Sequence, residues 1–328
     1  MTDDLRDAGL VPIRPYVGSN QQSVLVVCVV RNEQRRLAHF FRHYRNIGVT
    51  EFVFVDNGST DHTREMLLSS PSTALYEAQG RYSLSNYGVT WTNALLNVIA
   101  LGRWVLVVDA DELLIYPRYE TTPITSLCEF LTSVGASGLK TFLLDMYSDQ
   151  PFSSDPSDLD SHVNLLDRYC FYDVDSYHQR DSQGVPIRGG PRHRLFWNDR
   201  GEGDKSPVLI KYPPVRWEPG NEFLASTHHL KSVRTSELTG ALLHFKLTEG
   251  FRERTEIEVA RTEHWDSARQ YKTYLRGLQA SPHLTAVYSG TGKFSGSQAL
   301  VDRGLMREPP EYALWLRDTL THSEKAQS

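Results

Sequence analysis

Trp104-Val105-Leu106-Val107-Val108-Asp109-Ala110-Asp111-Glu112 joins an apolar run to a crowd of carboxylates, and its reading decides the fold. Residues 104–108 have the unbroken, β-branched character of a strand buried on both faces. Three carboxylates follow within one turn of chain. Such groups repel one another and lose hydration, so they persist when paired, hydrogen-bonded or bound to a cation. A hard divalent cation such as Mg²⁺ or Mn²⁺ takes oxygen ligands, often one or two carboxylates plus the phosphates of a substrate. The stretch therefore admits two readings: a cap for the next element, or a metal-diphosphate site at a strand end.

Upstream, residues 23–30 form another apolar run, ending at Arg31-Asn32-Glu33. Leu37, Phe40, Phe41, Tyr44 and Ile47 then recur at helical spacing, and Gly48 supplies a stop. The cycle repeats: a strand over 51–55, the polar turn Asp56-Asn57-Gly58-Ser59-Thr60-Asp61, a helix over 63–69, a strand over 73–77 and a helix over 89–101. Alternating strands and helices predict an α/β domain with a mainly parallel sheet flanked by helices, and ligands collecting outside the carboxyl ends of its strands. Arg31 to Glu33, Asp56 to Asp61 and Asp109 to Glu112 should then share one edge.

Beyond Pro117 the pattern changes. A helix is expected over 123–134 and a strand over 139–146, followed by a stretch rich in Ser, Asp, Pro and Gly over 147–190. Short strands are expected over 194–197, 208–211 and 241–246, and helices over 252–263, 267–278 and 311–321. The division is an N-terminal tail over 1–20, a nucleotide-binding half over 21–118, a more irregular, more antiparallel acceptor half over 119–250, and a helical extension over 251–328. Charges such as Arg252, Glu253, Arg254, Glu256 and Glu258 are expected on a solvated helix face with i,i+4 pairs.

The chain has 328 residues, 40% hydrophobic and 23% charged, with a net charge of −5 and a pI near 6.2. That balance suits a globular protein and argues against general nucleic-acid binding. Three widely spaced cysteines give neither a disulfide framework nor a thiolate metal site. Residues 1–20 lack the basic start and apolar run of an export signal, and the apolar runs fall far short of the ~20 residues that span a bilayer. The expected location is cytoplasmic, with peripheral contact at the inner membrane face left open. Gly290-Thr291-Gly292-Lys293 lacks the remaining residues of a phosphate loop and reads as a turn. No Gly-x-Gly-x-x-Gly follows the first strand, so a dinucleotide fold has no local support.

Taken together, Val29-Val30-Arg31-Asn32-Glu33, Val55-Asp56-Asn57-Gly58-Ser59-Thr60-Asp61 and Val107-Val108-Asp109-Ala110-Asp111-Glu112 resemble glycosyltransferase family 2 on the GT-A (Rossmann-like) fold, in its branch with an Asp-Ala-Asp-Glu motif. Gly189-Gly190-Pro191-Arg192-His193-Arg194-Leu195-Phe196, Ser226-Thr227-His228-His229 and Leu243-His244-Phe245-Lys246 resemble later blocks of that branch. The resemblance covers roughly residues 23–250 and implies a nucleotide-sugar donor, a UDP-sugar for preference, and Mn²⁺ or Mg²⁺. It assigns Asp56 to the nucleotide base with Arg31 and Glu33 flanking that pocket, Asp109 to the ribose and metal region, Asp111 to the cation, and His244 to the same metal. Arg31 departs from the aromatic residue that often precedes Asn-Glu in relatives.

A nucleotide-sugar becomes electrophilic at its anomeric carbon when charge building on the diphosphate is stabilised, which a metal supplies as a Lewis acid. Inversion, the outcome the resemblance implies, needs a base for the acceptor hydroxyl of a glycan or glycolipid. Glu218 and Glu222, in Trp217-Glu218-Pro219-Gly220-Asn221-Glu222, are the candidates because they lie between the acceptor blocks. Lys246, two residues past His244, is placed to meet a phosphate. Arg192 and Arg194 share one face, for an acidic acceptor or diphosphate or for solvent. A buried core histidine remains the alternative for His244. Trp91 is expected to help pack the wall beside the nucleotide, and Trp197, Tyr212 and Trp217 to pack in the core or stack on sugar rings. Two other functions stay open: a nucleotidyltransferase acting on a sugar phosphate, which normally carries a basic glycine-rich loop where Arg31-Asn32-Glu33 stands, and a noncatalytic nucleotide- or glycan-binding protein.

Overall fold

The computed structural model describes residues 2–18, 22–153, 164–197 and 205–327. The first part of the chain runs α1 (Thr2–Asp7), β1 (Leu10–Arg14), β2 (Leu25–Val30), α2 (Gln34–Asn46), β3 (Glu51–Asp56), α3 (Thr63–Ser69), β4 (Thr73–Ala78), α4 (Val89–Ile99), β5 (Trp104–Val107) and β6 (Glu112–Ile115). Next come α5 (Ile124–Ser133), β7 (Lys140–Asp145), α6 (Leu165–Arg168), β8 (Phe171–Asp173), β9 (Gln179–Arg180), β10 (Pro186–Arg188) and α7 (Gly190–Phe196). The remainder is β11 (Ile210–Lys211), β12 (Pro214–Arg216), β13 (Glu222–Phe223), β14 (Leu230–Lys231), β15 (Thr239–His244), α8 (Phe251–Arg261), α9 (Trp265–Ala280), β16 (Thr291–Lys293), α10 (Ser297–Asp302) and α11 (Pro310–Gln327).

The main sheet has the order β1-β4-β3-β2-β5-β12. Its four central strands are parallel, and antiparallel strands close both edges. Alternate side chains of β2 and β3 enter two cores: Val26, Cys28, Phe52 and Phe54 pack under α2, while Leu25, Val27, Val53 and Val55 pack with α4. This two-sided burial explains why those strands read as continuous apolar runs. α2 lays Leu37, Phe40, Phe41 and Tyr44 on the sheet. It ends at Gly48, whose φ of +96° only glycine adopts without strain.

A second sheet has the order β11-β7-β15-β6. β15 is parallel to β7 and antiparallel to β6, so the expected irregular half does bring in antiparallel pairing. The turn Asp109–Asp111 leaves the main sheet at β5 and enters the second at β6, so the acidic motif sits on the seam between the two. Tyr44 pins that seam: its hydroxyl donates to Glu112 O at 2.9 Å and accepts from Leu114 N at 3.2 Å.

Three expectations need correction. The N-terminal tail contains α1 and β1, and Leu5 and Leu10 are buried there. β1 pairs with β4 as an edge strand, the place where Pro12 is tolerated. The strand expected over 194–197 is helical, because Gly189 and Gly190 with φ of +126° and +73° turn the chain and Pro191 opens α7. The turn expected at Gly290–Lys293 contains β16, paired with β8. Residues 154–163, within the long polar stretch, lie outside the described residues. Among the described residues no helix is long and apolar enough to cross a membrane.

Candidate active site

A cavity of about 290 Å³ opens where the strand ends converge. Arg31, Asn32 and Glu33 after β2, Asn57 after β3, and Asp109, Ala110 and Asp111 after β5 form one side, as expected of an α/β sheet edge. His244 and Lys246 at the end of β15 form the floor. The far wall comes from α8 and α9, through Arg254, Ile257, Glu258, Arg261 and Tyr271. Arg254 and Glu258, expected on a solvated face, therefore border the cavity. The extension over 251–328 supplies a wall of the site.

The acidic motif divides its tasks. Glu112 is buried; its carboxylate accepts from Asp109 N at 3.0 Å and from Lys211 Nζ at 2.7 Å. Burial and the Asp109 charge push this carboxyl up, and Lys211 opposes them. Lys211 also donates to Asp109 Oδ2 at 2.7 Å. One buried ammonium thus holds two of the three carboxylates.

Asp111 is left facing His244, with Oδ2 3.6 Å from Nε2. Burial alone would raise its carboxyl; His244, Arg36, Lys246 and Lys211 hold it well below the usual range. Burial lowers His244, and its Nδ1 lies 2.6 Å from Asp145 Oδ1. Ligand atoms of Asp111, Glu112 and His244 all lie within 4.8 Å of one another. A carboxylate and a neutral imidazole on one spot, with substrate oxygens to complete the shell, fit a divalent cation. Glu112, already saturated by its two donors, is the least available of the three.

Around this point the cavity is basic. Arg36 pairs with Glu33. Lys246 donates to Tyr271 OH at 2.9 Å. Arg254 donates to Lys246 O at 3.0 Å and Thr248 Oγ1 at 2.8 Å, and burial, with Arg36 beside it, lowers its guanidinium to about 10. Tyr82, His264 and Tyr271 line the same cavity, with ring centroids 5.7 Å apart between the first two and 4.6 Å between the last two. A second cavity of about 180 Å³ adjoins the first and shares Asn32, Glu33, Arg36, Arg254 and Ile257 with it.

The structure thus gathers Arg31, Glu33, Asp109, Asp111, His244 and Lys246 at one cavity. Asp56 sits just behind its rim: it is buried, with Oδ1 accepting from Ser59 N at 2.9 Å and Ser59 Oγ at 2.6 Å, while its neighbour Asn57 reaches the cavity. Glu218 and Glu222 are not brought in. Glu218 pairs with Arg234 at 3.1 Å, and the exposed Glu222, on the β13–β14 hairpin, has Lys231 as its nearest cation at 3.9 Å. Arg192 and Arg194 lie on α7 and bind Asp145 and Asp173, so neither faces an anion site from a strand. His228 Nδ1 is 2.8 Å from Ile210 O. Trp91 and Trp217 are fully buried, and Trp197 is buried against Tyr274.

Lys211, Asp145 and the α8–α9 wall escaped the sequence reading. A lone lysine in a two-residue strand carries no local signal, although a basic residue in an apolar context two positions ahead of Pro213 and Pro214 was visible.

This arrangement is a GT-A-like α/β domain with a candidate metal-diphosphate site at its strand ends. Residues 25–120 match the family model described as glycosyl transferase family 2. Similar solved structures include glucosyl-3-phosphoglycerate synthase from Mycobacterium tuberculosis in complex with Mn²⁺, UDP and glucosyl-3-phosphoglycerate. It is 18% identical with a TM-score of 0.24, over 38% of this chain and 44% of that one. The same synthase with Mn²⁺, UDP and phosphoglyceric acid matches at 17% identity and a TM-score of 0.24, over 38% and 43%. A 4-diphosphocytidyl-2C-methyl-D-erythritol synthase matches at 15% identity and a TM-score of 0.24, over 43% and 67%. The chain spans less than half the length of the mycobacterial synthase. No curated protein matches it.

Proposed function

We propose that this chain is a metal-dependent glycosyltransferase that moves a sugar from a nucleotide-sugar, a UDP-sugar for preference, to a hydroxyl of a glycan or related acceptor, with inversion. The observation that carries the reading is the convergence of Asp111 and His244 Nε2 at 3.6 Å within a basic cavity at the strand ends. A cation held there supplies Lewis-acid stabilisation to the departing diphosphate. Lys246, Arg36 and Arg254 add fixed positive charge where that diphosphate lies. Tyr82, His264 and Tyr271 offer ring faces for the base, which supplies the aromatic surface that Arg31 lacks. The acceptor enters from the adjoining cavity. Glu33 is the carboxylate bordering both cavities, and burial raises it while Arg36 opposes, so it replaces Glu218 and Glu222 as the group placed to take the acceptor proton.

The test is protein melting against a panel of nucleoside diphosphates with and without Mn²⁺. Stabilisation by a uridine or other nucleoside diphosphate that deepens with Mn²⁺ is expected. A melting temperature unmoved by every nucleoside diphosphate in both conditions contradicts the reading. Product analysis then separates it from nucleotidyl transfer: release of nucleoside diphosphate from a nucleotide-sugar supports glycosyl transfer, and release of pyrophosphate from a nucleoside triphosphate opposes it.

A further inference from the structure

Gly189-Gly190-Pro191-Arg192 has no part in the chemistry described so far, yet it reaches the metal ligands through one buried chain of contacts. A Cβ on Gly189 would meet Ser176 O at 2.4 Å and Tyr177 Cα at 2.5 Å, so only glycine lets the backbone pass there. Pro191 then starts α7 and Arg192 turns inward, 3% exposed. Its Nε donates to Asp145 Oδ2 at 2.7 Å. Asp145 is the last residue of β7 and stands directly across from His244, the last of β15. Its other oxygen, Oδ1, accepts from His244 Nδ1 at 2.6 Å. The opposite ring nitrogen, Nε2, faces Asp111.

We propose that Asp145 is a positioning residue that fixes His244 as its Nδ1–H tautomer, and that Arg192 fixes Asp145 in that role. The inference rests on the metal reading of the site given above. A carboxylate can only accept, so the ring nitrogen 2.6 Å from Asp145 Oδ1 is the one that carries a proton. A histidine that ligates a metal has one N–H, and here it is that one. The Nε2 lone pair is then directed at the position a cation shares with Asp111. A carboxylate behind a ligating histidine sets ring orientation and basicity in this way, and its loss typically weakens metal binding 10- to 100-fold.

Asp145→Asn isolates the effect because it changes little but the donor pattern. Arg192 Nε–H retains the amide oxygen, which turns the NH₂ toward His244. Nδ1 must then accept, the ring proton moves to Nε2, and it blocks the cation position. The experiment reads the tautomer by long-range ¹H–¹⁵N correlation on histidine-labelled, metal-free protein, with the His244 signal assigned by its loss in His244→Gln. Mn²⁺ affinity is measured in parallel from the electron spin resonance of free Mn²⁺ in the presence of UDP.

The wild type should show the Nδ1–H tautomer. Asp145→Asn should show Nε2–H and bind Mn²⁺ roughly 10- to 100-fold more weakly. Arg192→Lys, which keeps a donor to Asp145, should keep the tautomer and bind Mn²⁺ within about threefold of wild type, well under that loss. A wild-type Nε2–H tautomer overturns the proposal even if Asp145→Asn fails to fold. So does wild-type Mn²⁺ affinity in a folded Asp145→Asn protein. A wild type with the Nδ1–H tautomer that takes up no Mn²⁺ upholds the tautomer assignment and contradicts the metal reading on which its purpose depends.

Discussion

Replacing Lys211 by Met removes one charge while keeping most of the side-chain volume, and it exposes how the acidic turn is held together. Lys211 is 2% exposed and contacts Glu112 and Asp109, each at 2.7 Å; the side chains of those partners are 1% and 54% exposed. The half-exposed Asp109 is screened by water, so losing its contact costs little. Glu112 has no such recourse. Burial and the Asp109 charge already push its carboxyl up to about 8 with Lys211 in place, so the cost of protonating it near pH 7 is shared by wild type and variant. What Lys211→Met adds is a buried acceptor left without its charged donor, at about 1–3 kcal/mol.

The same carboxyl fixes a pH signature. Its folded pKa lies above the unfolded value in the wild type and, without Lys211 to oppose the rise, higher still in the variant. The stability it contributes is complete below about pH 4 and is lost as pH rises toward the folded value. That loss is common to both proteins up to about pH 7, and above about pH 8 it continues in the variant alone. The deficit should therefore be nearly equal at pH 5 and 7 and larger at pH 9. Urea unfolding of wild type and Lys211→Met at the three pH values measures it. Adding Glu112→Gln to the variant should remove the growth above pH 8. A deficit no larger at pH 9 than at pH 7 would refute the reasoning.

Other consequences follow from the same geometry. Lys246→Met removes a cation from the cavity floor, so affinity for UDP should fall roughly 10- to 100-fold, the worth of one charge-assisted hydrogen bond. Uridine affinity should barely change, and isothermal titration distinguishes the two. Glu33→Gln should lower kcat at least ~100-fold, whereas Glu218→Gln and Glu222→Gln should leave it within about threefold, since both sit outside the cavity; initial rates of nucleoside diphosphate release decide. Burial lowers His43 to about 4, with its ring Nε2–H donating to Leu114 O at 2.7 Å. Because the folded value lies below the unfolded one, its contribution is complete above about pH 6.5 and is lost as pH falls toward 4. Stability measured by urea midpoints should therefore fall across that window, and less steeply in His43→Gln.

The legible parts of the fold are those whose neighbours in sequence decide them. β2, β3 and β5 are buried on both faces, so their apolar runs announce strands, and the polar turns that follow them mark the active edge. Asp111 and His244 were reachable because the acidic motif and the later His-x-Lys block each carry a recognisable pattern. What escaped depends on contacts between distant segments. Lys211 enters the site only because β12 closes the main sheet beside β5 while β11 extends the second sheet beside β7. Arg254 and Glu258 fall on a helix whose amphipathic pattern is weak, and only its packing across the strand ends turns them inward. The strand expected over 194–197 failed because Gly189, Gly190 and Pro191 turn the backbone before β-branched or aromatic preference can act. Glu218 and Glu222 were chosen for their position between motifs, and position in sequence says nothing about the Arg234 and Lys231 that face them.

The central claim is that one cation binds between Asp111 and His244 against a nucleoside diphosphate. An anomalous difference map from crystals of the protein grown with Mn²⁺ and UDP tests it most directly. The account predicts a single strong peak in coordination contact with an Asp111 oxygen, with His244 Nε2 and with phosphate oxygens of UDP. UDP bound in the cavity with no peak between those two side chains, or Mn²⁺ held by other residues, would contradict it.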